Sequence, residues 1–298
     1  MTQSLEALTR RSDSMKGIRS IVHTMKTLSV INAAPYDHAA TAIEAYHATI
    51  LSGLHAVLSQ SGPAPTQHAT RGEAGRVLIA FGSDHGLCGN YNQALTEHII
   101  ENVGNKNGLR ILCVGAQMAD ALRDHGFAPE ETLFPPASVD GIGRLANLLT
   151  QRLDAIRQSD GEIGVSLGYF MRDAQTGAQK GGQHPEIVSL LPLDPALMED
   201  LRKPWASRSL PSFTMPQRDL LQSLIRGHLF ASMFRAAAEA LVTENAARLA
   251  MMQQAEQSID DRLDALTSSM RSVRQTEITT ELLDVIIGFE ALKNRKGR

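Results

Sequence analysis

Apolar residues recur along the chain with two different periods, and the change of period divides it into three. From the start to residue 58 they step by three and four: Met15, Ile18, Val22 and Met25, then Ile43, Tyr46, Ile50, Leu54 and Val57. That spacing puts one stripe on one side of a helix. Pro35 falls between the two sets and predicts a kink or a break, because proline removes a helix hydrogen bond and crowds the preceding turn. A polar, proline-bearing stretch, "SQSGPAPTQHATRGEAG", reads as a linker.

Between 75 and 195 the pattern becomes short apolar runs, "RVLIAF", "LRILCVG", "EIGVSLGYFM" and "PEIVSLLPL", which predict buried strands. Helical stretches at 92–103, 116–124 and 142–157 lie between them. Strand alternating with helix implies a mostly parallel sheet covered on both faces, a Rossmann-like α/β domain. The last two strands are joined by "RDAQTGAQKGGQHP", which suits a hairpin-like loop better than a crossover.

The third segment, 212–298, predicts one helix from about 216 to 292, on the order of 110 Å long. Ile259, Leu263, Leu266, Met270 and Val273 form a heptad seam; after a step of five, Ile278, Leu282, Val285, Phe289 and Leu292 form another. A helix at each end of the chain, each with an apolar stripe, predicts an antiparallel coiled coil. Ala236, Ala237, Ala238, Ala246 and Ala247 would allow close approach of its two backbones. The expected fold is therefore α/β plus a long antiparallel coiled coil, organised as 1–58, 75–195 and 212–298.

Composition narrows the function. Charged residues make up 20% of the 298 and nearly cancel at a net −3, which gives no reason to expect nucleic acid or an anionic membrane surface as partner. No run approaches the ~20 apolar residues of a membrane-spanning helix, and the first residues hold no apolar signal core. Two cysteines, Cys88 and Cys113, suit small buried hydrophobes in a reducing compartment. His38, His47 and His55 are too far apart along a helix to share a metal. No metal and no cofactor is expected.

The stretch "GSDHGLCGN" after the first strand is the strongest candidate for chemistry. Its glycines, Gly82, Gly86 and Gly89, fit neither phosphate-binding spacing, and no Lys-Ser or Lys-Thr follows. A strand-to-helix turn over Gly86, Leu87, Cys88 and Gly89, with glycines supplying positive φ, is the simpler reading. The competing one is a doubly wound nucleotide- or cofactor-binding enzyme with a helical oligomerisation arm, its site beyond the strand ends near Asp84, His85 and Asn92. A plain coiled-coil scaffold is a third.

Three stretches together resemble the gamma subunit of F-type ATP synthases. Ser83, Asp84, Gly86, Leu87, Cys88 and Gly89 match a family motif in which His85 replaces an arginine. Glu239, Glu244, Ala247, Arg248 and Met252 of "EALVTENAARLAMM" match a second; Arg274, Gln275, Ile278, Thr279, Glu281 and Leu282 of "RQTEITTEL" match a third. The N-terminal helix keeps Ile21 and Met25 but little of the family's basic run, which fits a divergent member from an alternative bacterial ATPase complex. The resemblance implies a central rotary stalk that couples ion flow to ATP synthesis or hydrolysis and does no chemistry itself. It implies catalytic alpha and beta subunits, an epsilon subunit and the membrane c-ring as partners, on the cytoplasmic side of the bacterial inner membrane, with the membrane reached only through the complex. Met25, Lys26, Arg274, Gln275, Thr279 and Glu281 are then rotor–stator contacts. Leu282, Val285, Ile286 and Phe289 are an apolar bearing tip, and Glu239, Glu244 and Arg248 face another subunit.

Overall fold

A computed structural model describes residues 5–59, 75–104, 108–173, 182–205, 209 and 211–296, with side chains up to 287. The elements run α1 (Leu5–Leu58), β1 (Gly75–Phe81), α2 (Tyr91–Val103), β2 (Leu109–Val114), α3 (Ala116–Asp124), β3 (Glu131–Leu133), α4 (Val139–Asp160), β4 (Ile163–Arg172), β5 (Gln183–Leu191), α5 (Pro195–Leu201) and α6 (Gln217–Lys296). The three internal helices and four long strands follow the predicted pattern. The three-residue β3 and the short α5 are additions, too brief to show a period. The linker after residue 59, most of the loop between β4 and β5, and the side chains of the basic end of the chain lie outside the described residues.

Two compact units emerge, 29–248 and 1–28 with 249–298, and α1 and α6 contribute to both. The larger is built on a sheet of order β3-β2-β1-β4-β5. Its first four strands are parallel and β5 runs antiparallel to β4. Period-two alternation divides β1 between two cores. Val77, Ile79 and Phe81 point to one face, where they meet α4, α6 and Tyr36, Ala39 and Ala40 of α1. Leu78 and Ala80 point to the other, against α2 and α3. Every residue of α6 from Ala236 to Asn245 is buried. A helix hidden on all sides needs small side chains, and Ala236, Ala237 and Ala238 serve this wrapping by the sheet and α4 as well as the approach of α1. Ala246 is exposed and Ala247 packs on the α2–α3 side.

Pro35 does not interrupt α1, which runs unbroken from Leu5 to Leu58. The proline is exposed, as is Ile31, whose carbonyl loses its partner. Water can satisfy that carbonyl, while Tyr36, Ala39 and Ala40 anchor the next turn in the core.

In the smaller unit, residues 5–28 of α1 lie antiparallel to α6. Thr9 pairs with Met270, Arg19 with Asp260 and Lys26 with Glu256, so one number falls as the other rises. Val22, Met252 and Ile259 are the buried centre, with Met15, Met25, Ala255 and Leu263 packed around them. Ile18 is not in the seam: it is 46% exposed. Leu8, Ser12, Met15, Arg19 and Val22 step 4, 3, 4, 3, and this phase leaves Ile18 one position out while Arg19 reaches across to Asp260 at 2.6 Å.

Candidate functional site

The space beyond the carboxyl ends of the parallel strands is where a doubly wound enzyme holds its ligand. Here the chain fills it with its own atoms. The Asp84 carboxylate accepts from the Ala116 N–H at 3.1 Å, and the Ser83 carbonyl accepts from the N–H groups of Gln117 at 3.1 Å and Met118 at 3.4 Å. Those are the first-turn donors of α3, the groups a bound phosphate would need. Asn92 locks Ser83 in place, accepting from its N–H at 2.9 Å and donating to its Oγ at 2.7 Å.

Close packing requires the glycines flanking this knot. A Cβ on Gly82 would stand 2.4 Å from that of Met118, and one on Gly115, at φ +105°, would strike the Ser83 carbonyl oxygen at 2.5 Å. Positive φ falls on Leu87 (66°) and Gly89 (68°), so the assignment of that role to all the loop glycines needs correcting: Gly82 is there for space, and Gly86 shows neither need. Cys88 is buried in the core while Leu87 is 57% exposed. His85 stands clear of the protein, 3.8 Å from Asp84, whose carboxylate is engaged by α3.

Helix α6 closes more of that space. Ala237, Ala240, Leu241 and Glu244 meet Phe81, Gly82, Pro135 and Pro136 around a cavity of about 10 Å³, room for one water at most. The Tyr91 hydroxyl reaches the Ala240 carbonyl at 3.1 Å and Thr243 Oγ1 at 3.0 Å, and its ring stacks on Phe170 at 4.4 Å. Burial pushes that phenol far up in pKa, against the pull of the Thr243 hydrogen bond. Burial also raises the Glu244 carboxyl, opposed by its bond to Arg248.

The second motif therefore turns inward. Glu239 is 8% and Glu244 7% exposed. Glu239 takes a two-pronged grip from Arg172, at 2.9 Å to Nε and 2.8 Å to the terminal nitrogen, while the other arm of Arg172 holds Asp37 at 2.5 Å. This clamp ties β4 to α6 and α1. Within the chain, Glu239 and Glu244 are neutralised by Arg172 and Arg248, as buried charges are. Arg172 and Asp37 were not readable as functional positions, since their closeness depends on three separate elements meeting.

Among the described residues, no helix lies opposite the third motif on α6. Residues 274–287 are all exposed, and Thr9 of α1 is level with Met270. Arg274, Gln275, Thr279 and Glu281 present their side chains to solvent, with Thr279 Oγ1 bonded to the Gln275 carbonyl at 2.8 Å. Ile278, Leu282, Val285 and Ile286 are between 51% and 69% exposed. The side chain of Phe289 lies outside the described residues. Met25 packs in the coiled-coil seam, and Lys26 donates to Glu256 at 2.7 Å. His23 adds a second bond to Glu256 at 3.0 Å, and the two hold its carboxyl down at about 2.

Among the described residues no helix is long and apolar enough to cross a membrane, and no three metal-binding side chains cluster.

The sequence profile of the ATP synthase family matches residues 4–292. ATP synthase gamma chains are similar over nearly the whole length: that of Paracoccus denitrificans is 26% identical, covering 97% of this chain and 99% of its own. That of Clostridium acetobutylicum is 24% identical, covering 95% and 96%. That of Nitratidesulfovibrio vulgaris reaches 30% over 72% of this chain and 73% of its own. Among solved structures, a chain of the Euglena gracilis mitochondrial ATP synthase (OSCP/F1/c-ring, rotational state 3) superposes with a TM-score of 0.66 at 14% identity, covering 98% of this chain and 95% of that one. A chain of the rotor from the same source, in rotational state 1, gives 0.63, also at 14%, covering 92% and 98%. These last two speak to the fold. With a profile match across almost every residue, and a mostly parallel sheet set between two long terminal helices, the chain belongs to the ATP synthase family, among relatives that carry the name gamma chain.

Proposed function

We propose that this chain is the central rotary stalk of an ion-translocating ATP synthase, carrying torque and no reaction of its own. The observation that supports it most is the free run of α6. Ile278, Leu282, Leu283, Val285, Ile286 and Ile287 stand exposed on a stretch of α6 that no described helix faces. Apolar side chains gathered on a surface at that density belong in a greasy surrounding. A collar formed by a ring of catalytic alpha and beta subunits supplies one, with Leu282, Val285, Ile286 and Phe289 as the bearing. Arg274, Gln275, Thr279 and Glu281, and Met25 and Lys26 on α1, are the proposed contacts with that ring.

The mechanism is differential contact. A two-helix rod offers each catalytic subunit a different face, so each is biased to a different conformation and nucleotide affinity, and turning the rod moves those biases round the ring. The α/β unit takes the epsilon subunit and the c-ring as its partners, on the cytoplasmic side of a bacterial inner membrane. Weighing against the rival enzyme reading, the cap of α3 and the packing of α6 take up space beside the ends of β1 and β2.

Native complexes isolated through a tag on this chain test the proposal. ATPase subunits and ATP hydrolysis should copurify with it. Isolation without either, or saturable nucleotide binding by the chain alone, overturns it.

A further inference from the structure

A second cavity, of about 330 Å³, opens elsewhere in the α/β unit among α1, β4, β5, α5 and α6. Its size is that of a small-molecule pocket. Leu167, Val188, Leu190, Leu193 and Leu197 give it an apolar wall, while His47, His228, Ser232 and Arg235 give it a polar side.

Arg235 is the anomaly. Its side chain is 40% exposed, with Nε turned into the protein and the terminal nitrogens left as the donors a ligand can reach. The nearest carboxylate, Glu44, stands 3.9 Å from a terminal nitrogen, beyond hydrogen-bond reach. A guanidinium with no carboxylate in hydrogen-bond reach keeps its terminal donors for an incoming anion, whereas Arg172 and Arg110 spend theirs within the fold.

His47 Nε2 lies 2.9 Å from His228 Nδ1. Burial holds both imidazoles down, His228 to about 4, so at neutral pH the pair is uncharged. Two neutral rings carry two protons, and one is spent between them. Whichever tautomers form, the far nitrogens of the pair then offer one donor and one acceptor. The pocket thus holds a single fixed positive charge beside neutral polar groups and an aliphatic wall. Glu44 beside Arg235, and Asp194 at the lining, whose carboxylate caps α5 by accepting from the Ala196 N–H at 2.9 Å, disfavour a ligand of several negative charges.

We propose that this cavity is a binding site for an amphipathic monoanion, a medium-chain carboxylate whose head pairs with Arg235 and whose tail lies along Leu167, Val188 and Leu190. Nucleotides and other polyanions are poorly matched to it, having too much charge for one arginine between two acids.

Calorimetric titration of octanoate into the full chain at neutral pH tests this. Saturable one-site binding is expected. Arg235→Gln should weaken it about tenfold or more, the worth of a charge-assisted hydrogen bond. Val188→Phe, which fills the cavity without touching the charge, should abolish it. The two variants act independently, so either one that keeps the wild-type melting curve is decisive. Acetate, with the charge but no tail, and 1-octanol, with the tail but no charge, should each bind at least about tenfold more weakly. Arg226→Gln, outside this cavity, should leave binding unchanged. The proposal is overturned by an absence of saturable octanoate binding up to on the order of 10 mM. Undiminished binding in folded Arg235→Gln overturns it too, and so does displacement of octanoate by an equal concentration of inorganic phosphate.

Discussion

The two compact units are stabilised in different ways. The α/β unit hides whole side chains on both faces of its sheet: Ile79, Leu112, Leu149 and Leu153 are at most 2% exposed. The coiled-coil unit has Val22, Met252 and Ile259 as its buried centre and surrounds them with ion pairs, Arg19 with Asp260 and Lys26 with Glu256. A two-stranded rod cannot do otherwise, because each helix has one neighbour and therefore one apolar stripe. One unit is a scaffold sufficient in itself. The other keeps most of its surface for whatever surrounds it, and at 274–287 it gives up internal packing altogether.

The largest effect should come from breaching the first unit. Leu149→Ala opens a cavity in the core between sheet and α4 and should cost about 3 kcal/mol, read from chemical unfolding, with little change in hydrogen exchange along 5–28. Next is the clamp. Arg172→Ala leaves the Glu239 carboxylate buried and unpaired; breaking such a pair costs about 3–5 kcal/mol when both groups are sealed, and about 2 here because Arg172 is 39% exposed. Adding Glu239→Gln should recover part of that loss. Ile259→Ala strikes the rod instead. About 1.5 kcal/mol is expected, since a thin seam can close over the gap, and the loss should appear as faster exchange in 5–28 and 249–273 with the α/β unit unmoved. If the α/β unit loosens as well, the contrast between the units fails.

Acid sharpens the comparison further. The Glu256 carboxyl is held at about 2 by Lys26 first and His23 second. A carboxylate with a lowered folded-state pKa contributes stability above its unfolded value, and that contribution is lost as pH falls through the folded one. The rod should therefore loosen between the ordinary glutamate range, about 4.3, and pH 2. A carboxyl NMR titration of Glu256 checks this directly, and Lys26→Gln should move its midpoint upward. The smallest effect belongs to the free end of α6. Ile286→Ser should change stability by no more than about 0.5 kcal/mol, as for other exposed positions, while lowering ATP hydrolysis by the copurified complex. A large loss of stability in the isolated chain would show that this end is packed after all.

Much of this architecture was legible in the residues. The β1 run "RVLIAF", the bounds of α3, and the Ile259-to-Val273 seam all follow from local periodicity, which a chain expresses wherever one face is buried. Turn chemistry was legible only in outline, since "GSDHGLCGN" announces a turn but not that Leu87 takes a positive φ in place of Gly86. Ile18 was misplaced because steps of three and four from Val22 are equally regular, and the opposite helix decides between them. Pro35 signalled a break that the packing of Tyr36, Ala39 and Ala40 overrides.

What the sequence settled alone was the succession of elements and the family, because periodicity and short motifs are properties of neighbours along the chain. What only the tertiary structure decided was the use of each motif. Asp84 became the cap of α3, Arg172 the link between Glu239 and Asp37, and α6 a cover over the strand ends. These depend on which atoms meet after distant elements fold together, and Arg235, at the lining of an open cavity with Glu44 beyond hydrogen-bond reach, becomes notable only once its neighbours are known.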